Sequence, residues 1–166
     1  YLFGISAVYQ KNYKEAIYYF SHTVDHPDEM ISFYSVFYRG ICYRKTEKYS
    51  ESNKDFSSIR EKGTKYITKY DVIMQLSESI AKSGDIATSF SYLSTLTHVC
   101  NCLATRHYFY LKIKYDDHSD IQREYPMLKS SSQQDRDIFI MNAYANVKQN
   151  MFLQTLTILK NSLETR

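Results

Sequence analysis

Tryptophan is absent from this 166-residue chain, and proline and glycine are scarce, at two and four residues. So few turn formers exclude a many-stranded sandwich or barrel, which needs them at frequent intervals. No stretch approaches the roughly 18 consecutive apolar residues of a membrane-spanning helix, so no membrane span is expected. The net charge is only +3, with acids and bases interspersed, too little for charge alone to hold nucleic acid or a lipid surface. Cysteine is present three times, an odd number, and no Asn-x-Ser/Thr acceptor occurs. Both features point to a reducing intracellular compartment, cytoplasmic or nuclear. Phosphate loops, dinucleotide fingerprints, G-x-S-x-G and H-E-x-x-H are all missing, so neither a catalytic residue nor a cofactor is expected and the chain is not read as an enzyme.

What is there is enough for a packed globular domain. Hydrophobic residues make up 43% and charged residues 23%, and 17 tyrosines with nine phenylalanines supply the bulk of a core. A chain of this length buries roughly two thirds of the surface that its unfolded form exposes. It opens at Tyr1 already inside a helical pattern, which suggests an excerpt of a longer protein.

The pattern repeats. Gly4, Ala7, Tyr13, Ala16 and Phe20, moved on by 36 residues, become Gly40, Tyr43, Tyr49, Ser52 and Phe56. A further 37 gives Ser77, Ile80, Ile86, Ser89 and Leu93. Small residues stay small and aromatic or large apolar ones stay so, except that Ala7 gives way to Tyr43, which breaks size and stays apolar. In a pair of helices a small residue on the first lets the second approach closely, and a large apolar residue fills the angle between them. Asn12, Lys48 and Asp85 fall at the turn within each pair, Asp85 as an N-cap beside Gly84. One hairpin cannot bury its apolar face alone, so copies stack.

Later in the chain the pattern weakens. Tyr108, Tyr115, Ile121 and Leu128 continue it, but Lys112 takes the small position and Pro126 falls late in the second helix. Phe139, Ala143, Phe152, Thr155 and Leu159 fit again about 31 residues on, and Ile138, Met141 and Ala145 recur at helical spacing. Ser130 to Ser132 reads as a loop, and Ser91 to Leu103 as a stretch where helix boundaries can slip. The expected fold is all-α, one domain of about five antiparallel helical hairpins with the fourth distorted, over residues 1–28, 29–63, 64–99, 103–131 and 133–166.

Gly4, Tyr13-Lys-Glu-Ala16, Phe20 and Pro27, then Gly40-Ile-Cys-Tyr43, Tyr49 and Phe56, resemble tetratricopeptide repeats. The resemblance implies a right-handed superhelical α-solenoid with a concave groove lined by the first helix of each hairpin, and a role as scaffold or adaptor for a protein or peptide. Carried over by position, the groove holds Ile5 and Val8, then Tyr34, Phe37, Ile41 and Arg44, then Asp71, Met74, Glu78 and Ala81. It continues with Arg106, Phe109, Ile113 and Asp116, and with Asp137, Ile140, Tyr144 and Val147. Such a groove suits an amphipathic helix or extended peptide. Tyr34, Phe37, Ile41 and Arg44 are expected to contact the partner, and the bland alternative is that they pack against a neighbouring repeat or a missing N-terminal helix. Chaperone-binding relatives grip a C-terminal carboxylate with basic groove residues. Ile5, Phe37, Met74 and Glu78 stand in those places here, so that role is not expected.

Two other partners stay open, a second copy of the chain and RNA. Arg60, Lys62, Lys65 and Lys69 form a modest basic stretch, and pentatricopeptide repeats have a similar period and read one base each. Their grooves are polar and basic whereas this one is aromatic, so nucleic acid is disfavoured. His98, Cys100, Cys102 and His107 raise a zinc reading. Residues two apart on a helix point about 200° apart, so Cys100 and Cys102 cannot ligate together there and no metal is expected. Cys42 reads as a small core residue, and the histidines near Asp25 and Asp116 as polar helix ends.

Overall fold

The computed structural model of the chain describes residues 1–97, 102–115, 119–128, 135–148 and 160. Regular structure among them is entirely helical. In order come α1 (Leu2–Tyr9), α2 (Tyr13–Ser21), α3 (Glu29–Lys45), α4 (Tyr49–Ile59), α5 (Lys69–Lys82) and α6 (Ile86–Thr97). Then follow α7 (Cys102–Lys114), α8 (Ser119–Glu124), a 3₁₀ turn at Tyr125–Met127 and α9 (Arg136–Lys148). The chain divides into two compact units, Tyr1–Tyr92 and Leu93–Arg166.

From α1 to α5 each helix packs on the next, and the turns within hairpins are built alike. Lys11, Glu47 and Gly84 all take positive φ, at 59°, 61° and 100°. The residue after each donates its N–H to the carbonyl five places back: Asn12 to Ala7 at 2.9 Å, Lys48 to Tyr43 at 2.8 Å and Asp85 to Ile80 at 3.3 Å. This left-handed step ends one helix by satisfying carbonyls that would otherwise lack a partner. The same residue then starts the next helix. Asn12 Oδ1 accepts from the Glu15 N–H at 3.4 Å and Asp85 Oδ1 from the Thr88 N–H at 3.1 Å. Bonds to Thr88 hold the Asp85 carboxyl below its ordinary pKa. Lys48 has no oxygen to offer, and α4 starts without a side-chain cap.

Within each hairpin the small residue does what its place suggests. A Cβ on Gly4 would lie 2.6 Å from the Phe20 ring, and one on Gly40 would lie 3.0 Å from the Phe56 ring. Both rings are wholly buried. Removing a side chain of that size from water is worth roughly 1.5–3 kcal/mol. Four residues before each ring sits the other small residue. Ala16 simply fills the contact, whereas Ser52 Oγ donates to the Gly40 carbonyl at 2.9 Å and Ser89 Oγ to the Ser77 carbonyl at 2.8 Å. Each hydroxyl thus enters the core already bonded, which removes the cost of burying it.

Between hairpins, α3 lies against α2 on one side and α4 on the other. Asp28 caps α3 through the Met30 and Ile31 N–H groups, Thr23 and Ser35 hydroxyls meet at 2.7 Å, and Ser32 Oγ donates to the Val24 carbonyl. Arg39 forks onto Asp55 with Nε and Nη2 at 2.8 and 2.6 Å, tying α3 to α4, and its Nη1 reaches Ser21 Oγ at 3.3 Å. The bonds to Asp55 raise the Arg39 pKa. Two apolar clusters result. Ala7, Ala16, Phe20 and Cys42 form one, and Phe33, Val36, Phe37, Phe56, Ile59, Val72, Leu76 and Ile80 form the other. Burial pushes the Cys42 thiol up to about 12, which keeps it protonated and unreactive.

In the second unit α9 packs on α7 and α8. α8 is short, at six residues. α8 ends at Glu124, short of Leu128, because the chain tightens into the 3₁₀ turn around Pro126, which has no N–H to continue a helix. Tyr108 Oη donates to Glu124 at 2.8 Å and fixes this short helix to α7. Lys112, at the small position, is 1% exposed, and its ammonium lies 5.1 Å from the centre of the Tyr108 ring. The stretch from Ser91 resolves into α6 up to Thr97 and α7 from Cys102. Ser130 to Ser132 and the second helix expected around Phe152, Thr155 and Leu159 lie outside the described residues.

Gly40→Leu drives a side chain into the Phe56 ring and lowers stability by roughly 1–3 kcal/mol through overpacking. Urea denaturation followed by circular dichroism measures it, and an unchanged midpoint contradicts the placement of Gly40 against Phe56.

Candidate functional site

The first helices α1, α3, α5, α7 and α9 carry the residues that the sequence places in a groove, and the structure sorts them by burial. Ile5 and Val8 are half-buried on the Ala7–Phe20 cluster, and Tyr34 and Ile41 are half-buried on the Phe33–Phe56 cluster. The Tyr34 hydroxyl pairs with Thr64 Oγ1 at 3.1 Å, and its ring lies 6.4 Å from that of Tyr1. Phe37, Met74, Ala81 and Phe109 are core residues, none more than 8% exposed. Phe37 stacks on Phe33 at 6.3 Å and meets Phe56 edge-on at 5.8 Å, so its ring is spent inside the protein. Asp71 forms a capping box with Thr68 at the start of α5. Asp116 lies outside the described residues.

Two of the predicted positions meet as a buried ion pair. Arg44, 7% exposed, donates through Nη1 to Glu78 Oε2 at 2.6 Å and to the Gln75 carbonyl at 3.3 Å, while Nη2 reaches Gln75 Oε1 at 2.5 Å. The pair ties α3 to α5, first helices of successive hairpins. Loss of water lowers the Arg44 pKa, and Glu78 opposes that shift by charge and hydrogen bond. Nε keeps no partner. Lys82 adds a second cation to Glu78 at 3.5 Å. Nothing in the spacing of residues announces this pair, since a groove position says which way a side chain points and not how close the neighbouring helix stands.

The second unit repeats the theme at the surface. Arg106 on α7 pairs with Asp137 on α9 at 3.2 Å and with Asp135 at 2.9 Å, which brings the starts of these two helices together. From that pair the outer face of α9 runs through Ile140, Tyr144 and Val147, which are 51%, 43% and 42% exposed. On α7, Ile113 is half-buried and Tyr110 is 50% exposed. The α9 row is an apolar, partly aromatic face opening from a charged edge, with Lys148 Nζ 5.6 Å from the centre of the Tyr144 ring.

Other features of the described residues are a recess and scattered titratable groups. A recess of about 560 Å³ at the start of α3 is lined by His26, Glu29, Met30, Phe33, Ile59 and Lys62 among others. None of its lining residues holds a buried polar atom without a partner. Among the described residues no three His, Cys, Asp or Glu side chains gather as a metal site, and no helix is long and apolar enough to cross a membrane. His98 and Cys100 lie outside the described residues. Comparison with protein-family models, curated proteins and solved structures finds no match to the chain.

The Arg44–Glu78 pair predicts an asymmetric mutational response. Glu78→Ala strands a buried guanidinium and costs about 2–3 kcal/mol, below the ~3–5 kcal/mol of fully enclosed pairs because Glu78 keeps contact with water. Arg44→Met together with Glu78→Gln recovers most of that loss. Chemical denaturation of the single and double variants measures both, and equal stability of Glu78→Ala and the native chain refutes the coupling.

Proposed function

We propose that the chain is a non-enzymatic helical-repeat scaffold of the tetratricopeptide kind that holds a helix or extended segment of another protein. The observation that carries the reading is the exposed row Ile140, Tyr144 and Val147 on α9, bounded by the Arg106–Asp137 pair. A first-helix face turned to solvent with a branched aliphatic, an aromatic and a second branched aliphatic at helical spacing matches how an amphipathic partner is anchored. The charged edge adds register and specificity more than affinity. Three supports stand behind it: the shared turn geometry, the small-on-aromatic contact repeated in two hairpins with its serine counterpart in the third, and the buried pair between successive first helices. Within this reading Phe37, Arg44, Met74 and Phe109 hold the repeats together, and recognition falls to their exposed counterparts.

Affinity capture from native lysate tests it, using the wild type and Ile140→Glu and Tyr144→Glu variants shown to be folded, with a nuclease-treated arm. The expected result is a protein retained by the wild type and lost with both variants, each anchor being worth about 2 kcal/mol. Equal capture by all three contradicts the α9 face. Capture abolished by nuclease replaces the protein partner with RNA.

A further inference from the structure

Between α4 and α5 the chain runs Arg60-Glu-Lys-Gly-Thr-Lys-Tyr-Ile-Thr-Lys69, with four cations and one acid. The matching turn between α2 and α3, residues 22–28, has two acids and no lysine or arginine. Arg60 is engaged, with Glu61 at 3.3 Å and the Tyr92 hydroxyl at 3.1 Å. Lys62, Lys65 and Lys69 are exposed and pair with no carboxylate among the described residues. The loop that carries them is held by its own bonds. The Thr64 N–H donates to the Ile67 carbonyl at 2.7 Å, and the Tyr66 and Ile67 N–H groups donate to Thr64 Oγ1 at 3.2 and 3.0 Å. A Cβ on Gly63 would lie 2.9 Å from the Lys69 amide nitrogen, so the two ends of the loop touch. Ile67 packs on the Phe33–Phe56 cluster, whereas Tyr66 is 75% exposed, with Lys65 Nζ 5.7 Å from its ring centre. Lys62, Gly63 and Thr64 also wall the recess of about 560 Å³, across from His26 and Glu29, with buried Phe33 and Ile59 as its apolar lining. His26 Nδ1 accepts from the Asp28 N–H at 3.0 Å, which places the proton of the neutral ring on Nε2 as a donor.

We propose that this loop and recess bind single-stranded nucleic acid, with phosphates on Lys62, Lys65 and Lys69, one base in the recess and a neighbouring base stacked on Tyr66. The combination selects the ligand where charge alone does not. Phosphates call for cations that no carboxylate already holds. A base calls for an apolar slot with a donor and an acceptor at its edge, which Phe33, Ile59, His26 and Glu29 supply. An exposed tyrosine among lysines is a stacking platform for the next base. An acidic peptide would suit the lysines but meet like charge at Glu29, and a duplex would keep its base edges from the recess. Because the loop is already fixed by Thr64, little freedom is lost on binding. The site uses none of the aromatic first-helix positions that disfavour nucleic acid, and none of the α9 row, so it stands beside the scaffold reading as a second activity.

The probes are fluorescein-labelled RNA and DNA of one mixed sequence, about 12 nucleotides long, titrated with the full chain and followed by anisotropy. The expected result is saturable binding with a Kd below about 100 μM at ~50 mM salt, and a log–log salt slope of about −2 for three phosphates on a single strand. Either strand binding in this way supports the site, and the tighter one names its source. Lys62→Ala with Lys65→Ala and Lys69→Ala weakens binding at least roughly tenfold and flattens the salt slope. Tyr66→Ala weakens it at least about fivefold, whereas Tyr66→Phe keeps it. Glu29→Ala also weakens it at least about fivefold, although it removes a negative charge. Tyr144→Ala leaves it unchanged, so this site and the α9 row fail or stand separately. All these side chains are exposed, so the variants keep the native circular dichroism and melting temperature. No saturation with either strand, a Kd indifferent to salt, equal affinity for the triple-lysine variant, or tighter binding by Glu29→Ala overturns the proposal. A labelled Asp/Glu-rich peptide that binds as tightly and is lost with the same variants also overturns it, by assigning the loop to an acidic protein segment.

Discussion

Everything in the first unit depends on a bare backbone meeting an aromatic ring. Helix axes pack about 8–10 Å apart according to the side chains between them, and the near end of that range needs small residues at the contact. Gly4 against Phe20 and Gly40 against Phe56 meet that need. The ring fills the wedge where the helices diverge, and the positive-φ step at Lys11 or Glu47 brings the chain back at the matching angle. Once two helices are clamped this closely, little of the second helix's inner face is left to water. Its other side then becomes the surface on which the next hairpin is built, as Tyr38 on Phe20 shows.

The hairpins were legible in the sequence because their determinants are local. A glycine or serine, a second small residue twelve places later and a large apolar residue four beyond that are visible without knowing any distance, and so is the turn beside Asn12, Lys48 and Asp85. The candidate site was legible only in part. Repeat position predicts the direction of a side chain on its helix, and Ile140, Tyr144 and Val147, placed by it on one row, are exposed. It carries no information on how tightly successive first helices approach. Phe37 and Arg44 point where the pattern says, yet the first is taken up by Phe33 and Phe56 and the second by Glu78 and Gln75. The early stop of α8 was foreshadowed by Pro126, but the burial of Lys112 beside the Tyr108 ring depends on an aromatic neighbour that only the folded chain supplies.

These contacts also decide where recognition can reside. Several polar groups buried between helices are bonded within the protein, as with Arg39 on Asp55 and Ser52 on Gly40, while Arg44 Nε and Ser79 Oγ lack a hydrogen-bond partner. Among the described residues, exposed apolar side chains at helical spacing include Ile140, Tyr144 and Val147 on the outer side of α9. The proposed scaffold reading rests recognition on such exposed apolar side chains.

The central claim is that the 36-residue period is a physical unit of packing, and deletion in register tests it most directly. Removal of residues 14–49 joins Tyr13 to Ser50, so that Ser52 and Phe56 take the places of Ala16 and Phe20 against Gly4. The account predicts that this shortened chain keeps its helicity per residue and a cooperative thermal transition, as nearest-neighbour repeat packing requires. Deleting two residues more, which turns Phe56 away from Gly4, removes the cooperative transition. If both deletions behave alike, the period is only a pattern in the sequence and the clamp between small residue and ring does not organise the fold.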